Sequence, residues 1–450
     1  MSFPRYPKYK DSGVEWLGEV PEHWEVMKLR RCASSVQTGG TPTTDPPSAD
    51  LDQGLVWYTP GDFGDSLLLK TSTRRISPEV VASGEAKVFP PGSVLIVSIG
   101  ATLGKVGFAE EASSANQQIN VVMPNTKIDA YFLAFSLFVK ADVMRFLSNA
   151  STIGIMNQEK TKDIWIVAPP RGEQGNISAF LDLETAKIDG LVAEQRRLME
   201  LLKEKRQAVI SHAVTKGLNS RAPMKPSGIE WLGDIPAHWE VLKIKHVACS
   251  IEQGWSPQCE GFPAESEYEW GVLKVGCVNG GTFNPSENKL LPPELEPIPT
   301  LAIARDDLLV SRANTRELVG SAAVPARDYP NLMLCDKLYR VRFDPTLCSS
   351  RFVCLYFGST AVRGQIELGA TGASASMVNI AQSTIMELVI AAPPIEEQCE
   401  IVVSLDREFT KLDTLTTETQ RAIDLLQERR TALISAAVTG QIDVRATVTT

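Results

Sequence analysis

The sequence has little of what marks metal-binding, disulfide-stabilised or membrane-spanning proteins. Its 450 residues include only four histidines and eight cysteines, and no two cysteines form a C-x-x-C pair. Seven of the cysteines follow residue 240, which is typical of neither a zinc site nor a disulfide framework and indicates free, buried thiols in a reducing compartment. The longest mostly apolar run, residues 131–139 with one serine at Ser136, is far shorter than the roughly 18 residues of a membrane span, and residues 1–10 are not expected to form a secretory signal. We therefore expect a cytoplasmic protein without a membrane segment or a metal site.

An excess of positive charge is also missing. The 54 acidic residues outnumber the 45 basic residues, so the formal net charge is −9. Taken alone, this balance argues against a protein that binds nucleic acid through a broad basic surface. Net charge governs non-specific affinity and solubility, however, and local clusters of basic or amide side chains remain compatible with contacts to bases.

Recognisable catalytic motifs are absent as well. Residues 100–106 imitate a phosphate-binding loop, but this loop is one residue too short and lacks the Ser or Thr that binds Mg²⁺. Residues 45–48 read Asp-Pro-Pro-Ser, which differs from the tetrapeptide of amino-methyltransferases by lacking an aromatic residue to stack on a flipped base. His23 and His238 have no nucleophile motif nearby, so we expect them to pack or to form hydrogen bonds. The sequence predicts no catalytic residue.

What the chain does have is an internal repeat. Residues 10–28 and 225–243 are identical at 13 of 19 positions, with an offset of 215 residues. A second repeated segment begins with P-P-x-x-E-Q at residues 169–174 and 393–398, with an offset of 224 residues. The segments between these repeats are dissimilar, so the protein is a tandem duplication with two variable modules on a repeated frame.

Each P-P-x-x-E-Q segment opens a predicted long helix. In the first copy no proline occurs from Glu173 to Thr215, and Gly217 then provides a stop signal. Apolar residues recur with steps of three and four, which predicts a coiled-coil seam. The predicted seam residues are Ile188, Leu191, Leu198, Leu202 and Val209 in the first helix and Leu412, Leu415, Ala422, Leu426 and Leu433 in the second, with polar interruptions at Gln195, Lys205, Thr419 and Arg429. We expect the two helices to pack antiparallel as a structural strut.

The two variable modules, around residues 41–160 and 245–385, predict an α+β fold. Short β-branched runs such as residues 93–99 and 338–343 indicate strands, and apolar stretches such as residues 130–148 indicate helices. A weak loop signature aligns residues 97–102 with 310–315, and Val106-Gly107 with Val319-Gly320. A strand that ends in a Gly- and Asn-rich loop can present backbone amides and short polar side chains to a ligand.

Polar and basic side chains in these loops are the candidate DNA contacts. Arg and Lys suit guanine edges and phosphates, while Asn and Gln suit adenine edges. The candidates in module one are Lys70, Arg74, Arg75, Thr102, Lys105, Asn116, Gln117 and Gln118, and those in module two are Arg312, Asn314, Thr315, Arg316, Lys337 and Arg340, with Arg342 nearby. The competing interpretation for any one of them is ordinary solvated surface charge.

At both starts the chain reads S-G-[VI]-E-W-L-G-[ED]-[VI]-P-x-H-W-E-V, and both long helices begin with P-P-x-x-E-Q. With these motifs around two dissimilar modules, the whole chain resembles the specificity subunit of type I restriction–modification enzymes. Module one, with residues 38–42, Trp57, Gly61-Asp62 and the loop 100–107, is similar to a common type of target recognition domain in that family.

The resemblance implies an architecture. Two globular target recognition domains would form a pseudo-two-fold tandem repeat, joined by two long antiparallel helices that form a coiled coil. The first domain would span residues 1–165 and the second residues 219–386. The central helix would occupy residues 166–218, and the C-terminal helix and tail residues 387–450.

The resemblance also implies a function without catalysis in this chain. Each domain would read one half of a bipartite site in double-stranded DNA, and the helices would set the spacer and dock two modification (methyltransferase) subunits. Restriction subunits with translocase and nuclease activity would complete the assembly. S-adenosylmethionine, ATP and Mg²⁺ are expected on those partner subunits and not on this chain. An acidic reader of this kind should bind DNA weakly by itself, because its partners supply much of the phosphate-neutralising surface.

Two alternatives belong to other functional classes. A self-sufficient fused methyltransferase and nuclease would need a methyl-donor loop and a nuclease core, for which two modules and two long helices leave no room. A scaffold whose modules bind proteins is the second alternative. Methyl transfer by the isolated chain would favour the fusion, and salt-dependent binding to duplex DNA separates a DNA reader from a scaffold.

Overall fold

The structure, a computed structural model, describes residues 3–49, 51, 53–70, 72–148, 154–266, 268–374 and 377–446. The chain divides into two compact units. Unit 1 comprises Met1–Gln195 and Arg421–Thr450, and unit 2 comprises Arg196–Gln420. Each unit therefore contains one variable module together with one part of each long helix. The domain boundaries expected from the sequence, which give each long helix a segment of its own, stay a prediction.

Unit 1 is built from helices and short, mostly antiparallel strands. In chain order its elements are β1 (Tyr9–Asp11), β2 (Glu19–Pro21), β3 (Glu25–Lys28), β4 (Ala33–Thr38), β5 (Leu55–Tyr58), β6 (Arg75–Ile76), α1 (Pro78–Ala82), β7 (Ser93–Val97), β8 (Val106–Ala109), β9 (Ser113–Ala115), β10 (Ile119–Pro124), α2 (Ala130–Phe138), α3 (Ala141–Leu147), α4 (Gln158–Lys162), β11 (Trp165–Ala168) and the start of α5 (Arg171–Lys216). A four-stranded sheet of order β4-β10-β7-β8 lies beside a three-stranded sheet of order β6-β5-β9, in which β5 and β9 are parallel. All five residues of β7 are buried, as the apolar run at residues 94–97 predicts.

Unit 2 repeats the four-stranded sheet of unit 1 and differs from unit 1 in some of its other sheets. Its elements are the rest of α5, β12 (Met224–Pro226), β13 (Asp234–Pro236), β14 (Glu240–Lys243), β15 (Ala248–Gln253), β16 (Gly271–Leu273), β17 (Asn288–Leu290), β18 (Ala302–Ile303), β19 (Leu308–Ser311), β20 (Ala313–Asn314), β21 (Ala322–Ala323), β22 (Tyr329–Met333), β23 (Leu338–Phe343), α6 (Ser350–Phe357), α7 (Thr360–Gly369), β24 (Thr371–Ser374), β25 (Met377–Asn379), α8 (Gln382–Met386), β26 (Val389–Ala392) and α9 (Ile395–Val438), of which the last part belongs to unit 1. The sheet of order β15-β23-β19-β21 corresponds to the four-stranded sheet of unit 1. The α+β prediction and the two long helices are confirmed.

The residues that are buried along each long helix differ in part from those predicted for the coiled-coil seam. Ile188, Leu202 and Leu412 are buried as expected, whereas Leu191, Leu198 and Leu415 are exposed. The buried residues on α5 include Ile177, Leu181, Thr185, Ile188, Val192, Leu202 and Ala213, and those on α9 include Leu405, Leu412, Thr419, Ile423, Arg430 and Ala437. Successive positions in these two sets are separated by three or four residues or by sums of such steps. The sequence prediction followed the leucines, but the packed face is the one that continues the core from Ile177 at the start of α5.

The polar residues of the packed faces also differ in part from those predicted. Thr419 is buried and Gln195 is half-buried, in agreement with the prediction. Lys205 and Arg429 are exposed, and the residue that follows Arg429, Arg430, is buried instead. Arg430 comes with an acidic partner on α5, because a buried guanidinium without one would be costly.

Within unit 1 the two helices run antiparallel. Arg430 of α9 donates through Nε to Oδ1 of Asp189 on α5, at 2.8 Å. Ile177, twelve residues earlier on α5, shares the unit's core with Val438 near the end of α9. Residue numbers therefore rise along one helix and fall along the other.

The same direction holds within unit 2. Arg206 of α5 pairs with Asp413 of α9. Val214, eight residues later on α5, lies in the same core as Ile401, twelve residues earlier on α9. The antiparallel expectation is therefore satisfied separately in each unit.

The repeated sequence motifs contact one another. His23 of the first repeat lies 2.9 Å from Glu173, measured between Nε2 and Oε2, and His238 lies 2.7 Å from Glu397. These carboxylates belong to the two P-P-x-x-E-Q segments. The repeated histidines therefore fix the start of each long helix to the repeat segment of its own unit, which is the packing role expected for them.

The glutamines of the same motifs hold the modules. Gln174 accepts a hydrogen bond from the backbone N–H of Asp129, the residue that caps α2, at 2.6 Å. Gln398 accepts one from the backbone N–H of Ser349, the residue that caps α6, at 2.9 Å. Each helix start is thus joined to a module helix through an equivalent side chain.

Three expectations from the composition concern features that the chain should lack. All eight cysteines are free, but Cys249 and Cys399 are exposed, so the expectation that the thiols are buried was wrong for these two. Over the part of the chain that the structure describes, no three His, Cys, Asp or Glu side chains are grouped so that they could hold a metal ion. Among the described helices, none is both long and apolar enough to cross a membrane.

Candidate nucleic-acid interface

Three loops meet at one end of the four-stranded sheet of unit 1. Gly40, just after β4, donates its backbone N–H to the carbonyl of Ala115 at 2.7 Å, and Ser98, just after β7, donates its N–H to the carbonyl of Gln118 at 2.7 Å. A Cβ on Gly39 would lie 2.2 Å from the Ala115 oxygen, so a side chain there would prevent this close approach. We call the loops that meet here the sheet-end loops of unit 1: residues 39–41, 98–104 and 115–118.

Unit 2 has the same junction built from other residues. Trp255, after β15, donates its N–H to the carbonyl of Leu334 at 3.0 Å, and Arg312, after β19, donates its N–H to the carbonyl of Lys337 at 2.8 Å. A Cβ on Gly254 would lie 2.0 Å from the Leu334 oxygen. The sheet-end loops of unit 2 are residues 254–256, 312–320 and 334–337. One frame therefore carries two different sets of side chains.

Strand register fixes which residues correspond. In unit 1 Ile119 pairs with Val97, and in unit 2 Leu338 pairs with Ser311. Val97 therefore corresponds to Ser311 and not to Val310, so the sequence alignment of this loop was wrong by one residue. The weak sequence similarity of the two loops could not fix their alignment, whereas the backbone hydrogen bonds of the sheet do.

The glycine at the far end of this loop was also paired incorrectly. Gly104 donates its N–H to Val97, and Gly320 donates its N–H to Ser311, at 2.9 and 2.8 Å. Both glycines have positive φ, of 92° and 73°, so the counterpart of Gly320 is Gly104 and not Gly107. The loop in unit 2 is longer, which the ungapped alignment could not accommodate.

The predicted amide side chains of unit 1 lie together in the loop before β10. Asn116 donates through Nδ2 to Oε1 of Gln118 at 3.2 Å, and its own Oδ1 accepts the backbone N–H of Gln118 at 3.0 Å. Gln117 is exposed, and its Oε1 accepts a hydrogen bond from the Thr41 hydroxyl at 2.7 Å. Asn116 is buried and Gln118 half-buried, so these two position the loop while Gln117 faces solvent.

A second segment fixes the first sheet-end loop. Oε1 of Glu85 accepts hydrogen bonds from the backbone N–H groups of Thr43 and Thr44 and from the Thr43 hydroxyl, and Lys87 donates to the Thr38 carbonyl at 2.7 Å. Hydrogen bonds from Thr44 and Thr43 lower the pKa of Glu85 to about 2. Its charge therefore persists at neutral pH.

Two further candidates of unit 1 lie on the loop after β7. Thr102 is half-buried within it. Lys105 is exposed, but its ammonium donates to the carbonyl of Phe63 at 2.8 Å. Lys105 therefore ties two loops together and has less freedom to reach a ligand.

The remaining candidates of unit 1 lie on and before β6. Lys70 and Arg74 are exposed. Arg75 is half-buried and donates through Nη1 to the carbonyl of Gly54 at 3.1 Å, so part of its guanidinium is occupied. The backbone carbonyl of Arg74 accepts the N–H of Trp57, which places this segment beside β5 of the three-stranded sheet.

In unit 2 the structure brings Arg312 and Lys337 to the sheet end. Arg312 donates through Nη1 to the backbone carbonyl of Asp336 at 3.1 Å. Lys337 is exposed, and among the described residues its ammonium has no partner. Sequence reasoning missed Asp336 and its neighbours Ser256 and Gln253, which hydrogen bond to the Asp336 carboxylate and carbonyl respectively. The strand-ending Q-G dipeptide at residues 253–254 was the available signal.

The rest of the predicted loop continues from Arg312. Asn314 lies on β20 and donates through Nδ2 to Oδ1 of Asn279 at 3.4 Å. Thr315 and Arg316 are exposed in the turn that follows. Asn279 comes from a separate loop and was not predicted, because nothing in the sequence links it to residues 312–316.

The assignment of Arg340 to DNA was wrong. Its side chain is 1% exposed, and its guanidinium donates to the carbonyls of Ala302 and Thr300 at 2.7 and 2.8 Å. It also pairs with Glu252 at 2.7 Å and lies 3.6 Å from Asp307. Arg340 lies on the central strand β23 with its side chain inside the protein, where it joins chain segments and cannot contact a base.

Arg342, two residues further along β23, is held in a similar way. Its Nε donates to Oδ1 of Asp307 at 2.7 Å, and this hydrogen bond raises the pKa of the guanidinium. Because residues two apart share a face of a strand, both arginines point toward the buried Asp307. Both arginines of β23 therefore stabilise the fold by contacting Asp307.

A family model matches part of the chain. The model for the type I restriction modification DNA specificity domain matches residues 21–193. This stretch contains module one and the start of α5.

Relatives of known name extend the similarity. The chain is 28% identical over 240 residues to the type I restriction enzyme EcoEI specificity subunit of Escherichia coli, an alignment that covers 53% of this chain but only 40% of that protein. It is 21% identical over 436 residues to the MjaVIII specificity subunit of Methanocaldococcus jannaschii, which covers 95% of this chain and 94% of that protein.

Solved structures share the fold. A chain from a structure of complex assembly and conformational transition of the type I R-M system matches with a TM-score of 0.68 at 14% identity, over 94% of this chain and 99% of that chain. The HsdS subunit from Thermoanaerobacter tengcongensis matches with a TM-score of 0.51 at 15% identity, over 94% and 98% of the two chains. The family model and the relatives thus agree in making this chain similar to type I restriction–modification specificity subunits, and the solved structures show that it shares their fold.

Proposed function

We propose that the chain is the DNA sequence-specificity subunit of a type I restriction–modification system. Each unit reads one half of a bipartite site in double-stranded DNA through its sheet-end loops. The observation that carries this proposal is that one backbone junction occurs twice with unrelated side chains, Gln117 and Gln118 in one copy and Asp336 and Lys337 in the other. Two different half-sites require two different reading surfaces on a common frame.

The long helices set the distance between the two half-sites. Two readers on one helical support have their orientation fixed in advance, so the second half-site binds at a high effective concentration. Removing one heptad from α5 and one from α9 shortens the support by about 10 Å, since an α-helix rises about 1.5 Å per residue. We expect the permitted spacer to shorten by about 3 bp, since successive base pairs lie about 3.4 Å apart.

Modification subunits dock on these helices. Both helices carry large apolar side chains that their packed faces leave exposed, which supports a protein-binding role. The exposed apolar residues are Leu183, Leu191, Leu198 and Leu201 on α5 and Val403, Leu415 and Leu425 on α9. Restriction subunits join the same assembly.

The chemistry belongs to the partners. We propose that the modification subunits carry S-adenosylmethionine and that ATP and Mg²⁺ serve the restriction subunits. The chain itself takes part as a reader and spacer in the cytoplasm. Its net charge of −9 fits a reader that depends on its partners to neutralise phosphates.

The test is methylome sequencing of a strain from which the gene for this chain has been deleted. One bipartite motif should lose methylation and should regain it when the intact chain is restored. Replacing module two by that of another specificity subunit should change one half of the motif only. A module-two replacement that altered both halves would contradict the assignment of one half-site to each unit.

Two measurements separate the alternative functions. The isolated chain should transfer no labelled methyl group to DNA, whereas a fused methyltransferase would. Duplex binding should appear with the modification subunits and weaken steeply as salt rises. A scaffold that binds only proteins would show no sequence preference at any salt concentration.

A further inference from the structure

The two sheet ends place different chemistry at corresponding positions. The backbone hydrogen bonds and strand registers that equate Val97 with Ser311 also equate residues 117–118 with 336–337. The first pair is Gln-Gln and the second is Asp-Lys. Ser98, which precedes the first glycine of its loop, corresponds to Arg312. One corner is therefore lined by neutral amides and its counterpart by charged groups.

The unit 1 corner is suited to adenine. The Thr41 hydroxyl fixes the amide of Gln117 by donating to its Oε1 at 2.7 Å, and the side chain remains exposed. That oxygen keeps a second lone pair, and the Nε2 group keeps its donors. An oriented amide of this kind can accept from N6 and donate to N7 of adenine in the major groove, and this is the pairing that distinguishes A·T.

The unit 2 corner is suited to guanine. The ammonium of Lys337 is exposed without a partner among the described residues, and Arg312 uses Nη1 to contact the carbonyl of Asp336 at 3.1 Å. Lysine and arginine both donate to O6 and N7 of guanine. The hydrogen bond between Asp336 and Ser256 fixes the loop that presents these cations. No amide stands at either position of this pair.

We propose that residues 117–118 and 336–337 determine the base preference of the two half-sites. Gln117 reads the adenine of an A·T pair in the half-site of unit 1. Lys337, with Arg312 beside it, reads the guanine of a G·C pair in the half-site of unit 2. This assignment rests on the proposed function and adds to it the class of base that each unit selects at this corner.

The experiment measures duplex binding by the full chain in complex with the modification subunits of its own system. Competitor duplexes carry each single base-pair substitution of the two half-sites. For the intact chain, replacing the A·T pair read by Gln117 should weaken binding by roughly 5- to 150-fold, the range for one bidentate base contact. In the Gln117→Ala variant, replacing the same A·T pair should change the duplex affinity by less than about twofold. Replacing base pairs of the other half-site should weaken binding by as much as it does for the intact chain.

Lys337 gives the reciprocal result. Lys337→Ala should remove discrimination at one G·C pair of the other half-site and leave the A·T pair read by Gln117 unchanged. Lys337→Gln should shift the preference at that position from guanine toward adenine. Gln117→Glu keeps the size of the side chain and its acceptor oxygen, yet it loses the donor to N7, so it should reject adenine.

Matched controls use the same residue types outside the corners. Gln37 is exposed on β4 and Lys289 is exposed on β17, and Gln37→Ala and Lys289→Ala should leave every pair's effect as in the intact chain. The inference is overturned if Gln117→Ala keeps full discrimination at all positions, or if it loses discrimination at a G·C pair. It is also overturned if Gln117→Ala and Gln117→Glu both abolish binding while Gln37→Ala does not. A complex of the intact chain that prefers no bipartite duplex refutes the proposed function itself.

Discussion

Replacing Arg340 by alanine separates a structural arginine from a DNA-reading one. The substitution removes hydrogen bonds to the carbonyls of Ala302 and Thr300 and an ion pair with Glu252, and it withdraws one of the cations near Asp307, which is itself 2% exposed. Truncating one partner of a buried charge network typically costs about 3–5 kcal/mol. For a unit of this size, 1 kcal/mol shifts the melting temperature by about 2–4 °C, so the unit 2 transition should fall by about 6–20 °C.

Differential scanning calorimetry of the full chain measures this shift, because it can resolve separate transitions of the two units. Lys337→Ala is the control, since an exposed lysine should change the free energy of unfolding by less than about 0.5 kcal/mol. The half-site preference should survive Arg340→Ala below the lowered melting temperature. A shift under about 2 °C together with altered preference at one base pair would refute the structural role of Arg340.

Two further predictions concern unit 1. Burial lowers the pKa of Lys140 from 10.5 to about 8, so the unfolded chain holds this proton more tightly and stability should rise between pH 8 and 10.5. Lys140→Met should raise the free energy of unfolding at pH 7 by up to about 3 kcal/mol, and its stability should no longer rise between pH 8 and 10.5. Melting curves from pH 7 to 10.5 measure both effects, and equal pH profiles for the two proteins would contradict the prediction. Gly39→Ala places a Cβ 2.2 Å from the Ala115 oxygen and should cost about 1–3 kcal/mol and weaken DNA binding by unit 1. Gly40→Ala, whose Cβ meets nothing within 4 Å, should bind normally, and equal binding by the two variants would contradict the close approach.

The fold was largely readable from the sequence. Tandem identity at residues 10–28 and 225–243 showed the duplication, and P-P-x-x-E-Q located the start of each long helix, because proline can precede a helix but not continue it. Strands β7 and β23 were predicted from β-branched apolar runs. The helix starts and the strands are local features, since each depends on residues close together in the chain, and the duplication needs only a comparison of two stretches of sequence.

The candidate site was only partly readable. Gln117 and Gln118 were found because amides cluster in sequence, and Arg312 because it follows a strand. Thr41 and Asp336 were missed as partners, because their contacts join segments that are far apart in the chain or depend on backbone atoms. Arg340 was misjudged for a related reason, since a strand in the sequence does not reveal which face is covered.

Sequence patterns alone specify a duplicated frame with two different modules and two long helices. Proline positions and apolar periodicity depend on neighbouring residues, and a repeat is found by comparing two stretches of sequence, so none of these features requires knowledge of the fold. Two features emerge from the folded chain and not from its sequence. Val192 and Ile423 are buried whereas Leu191 and Leu415 are exposed, and strand register makes Val97 correspond to Ser311. Burial and strand register result from contacts between distant segments, and the chemistry that an arginine can perform depends on those contacts.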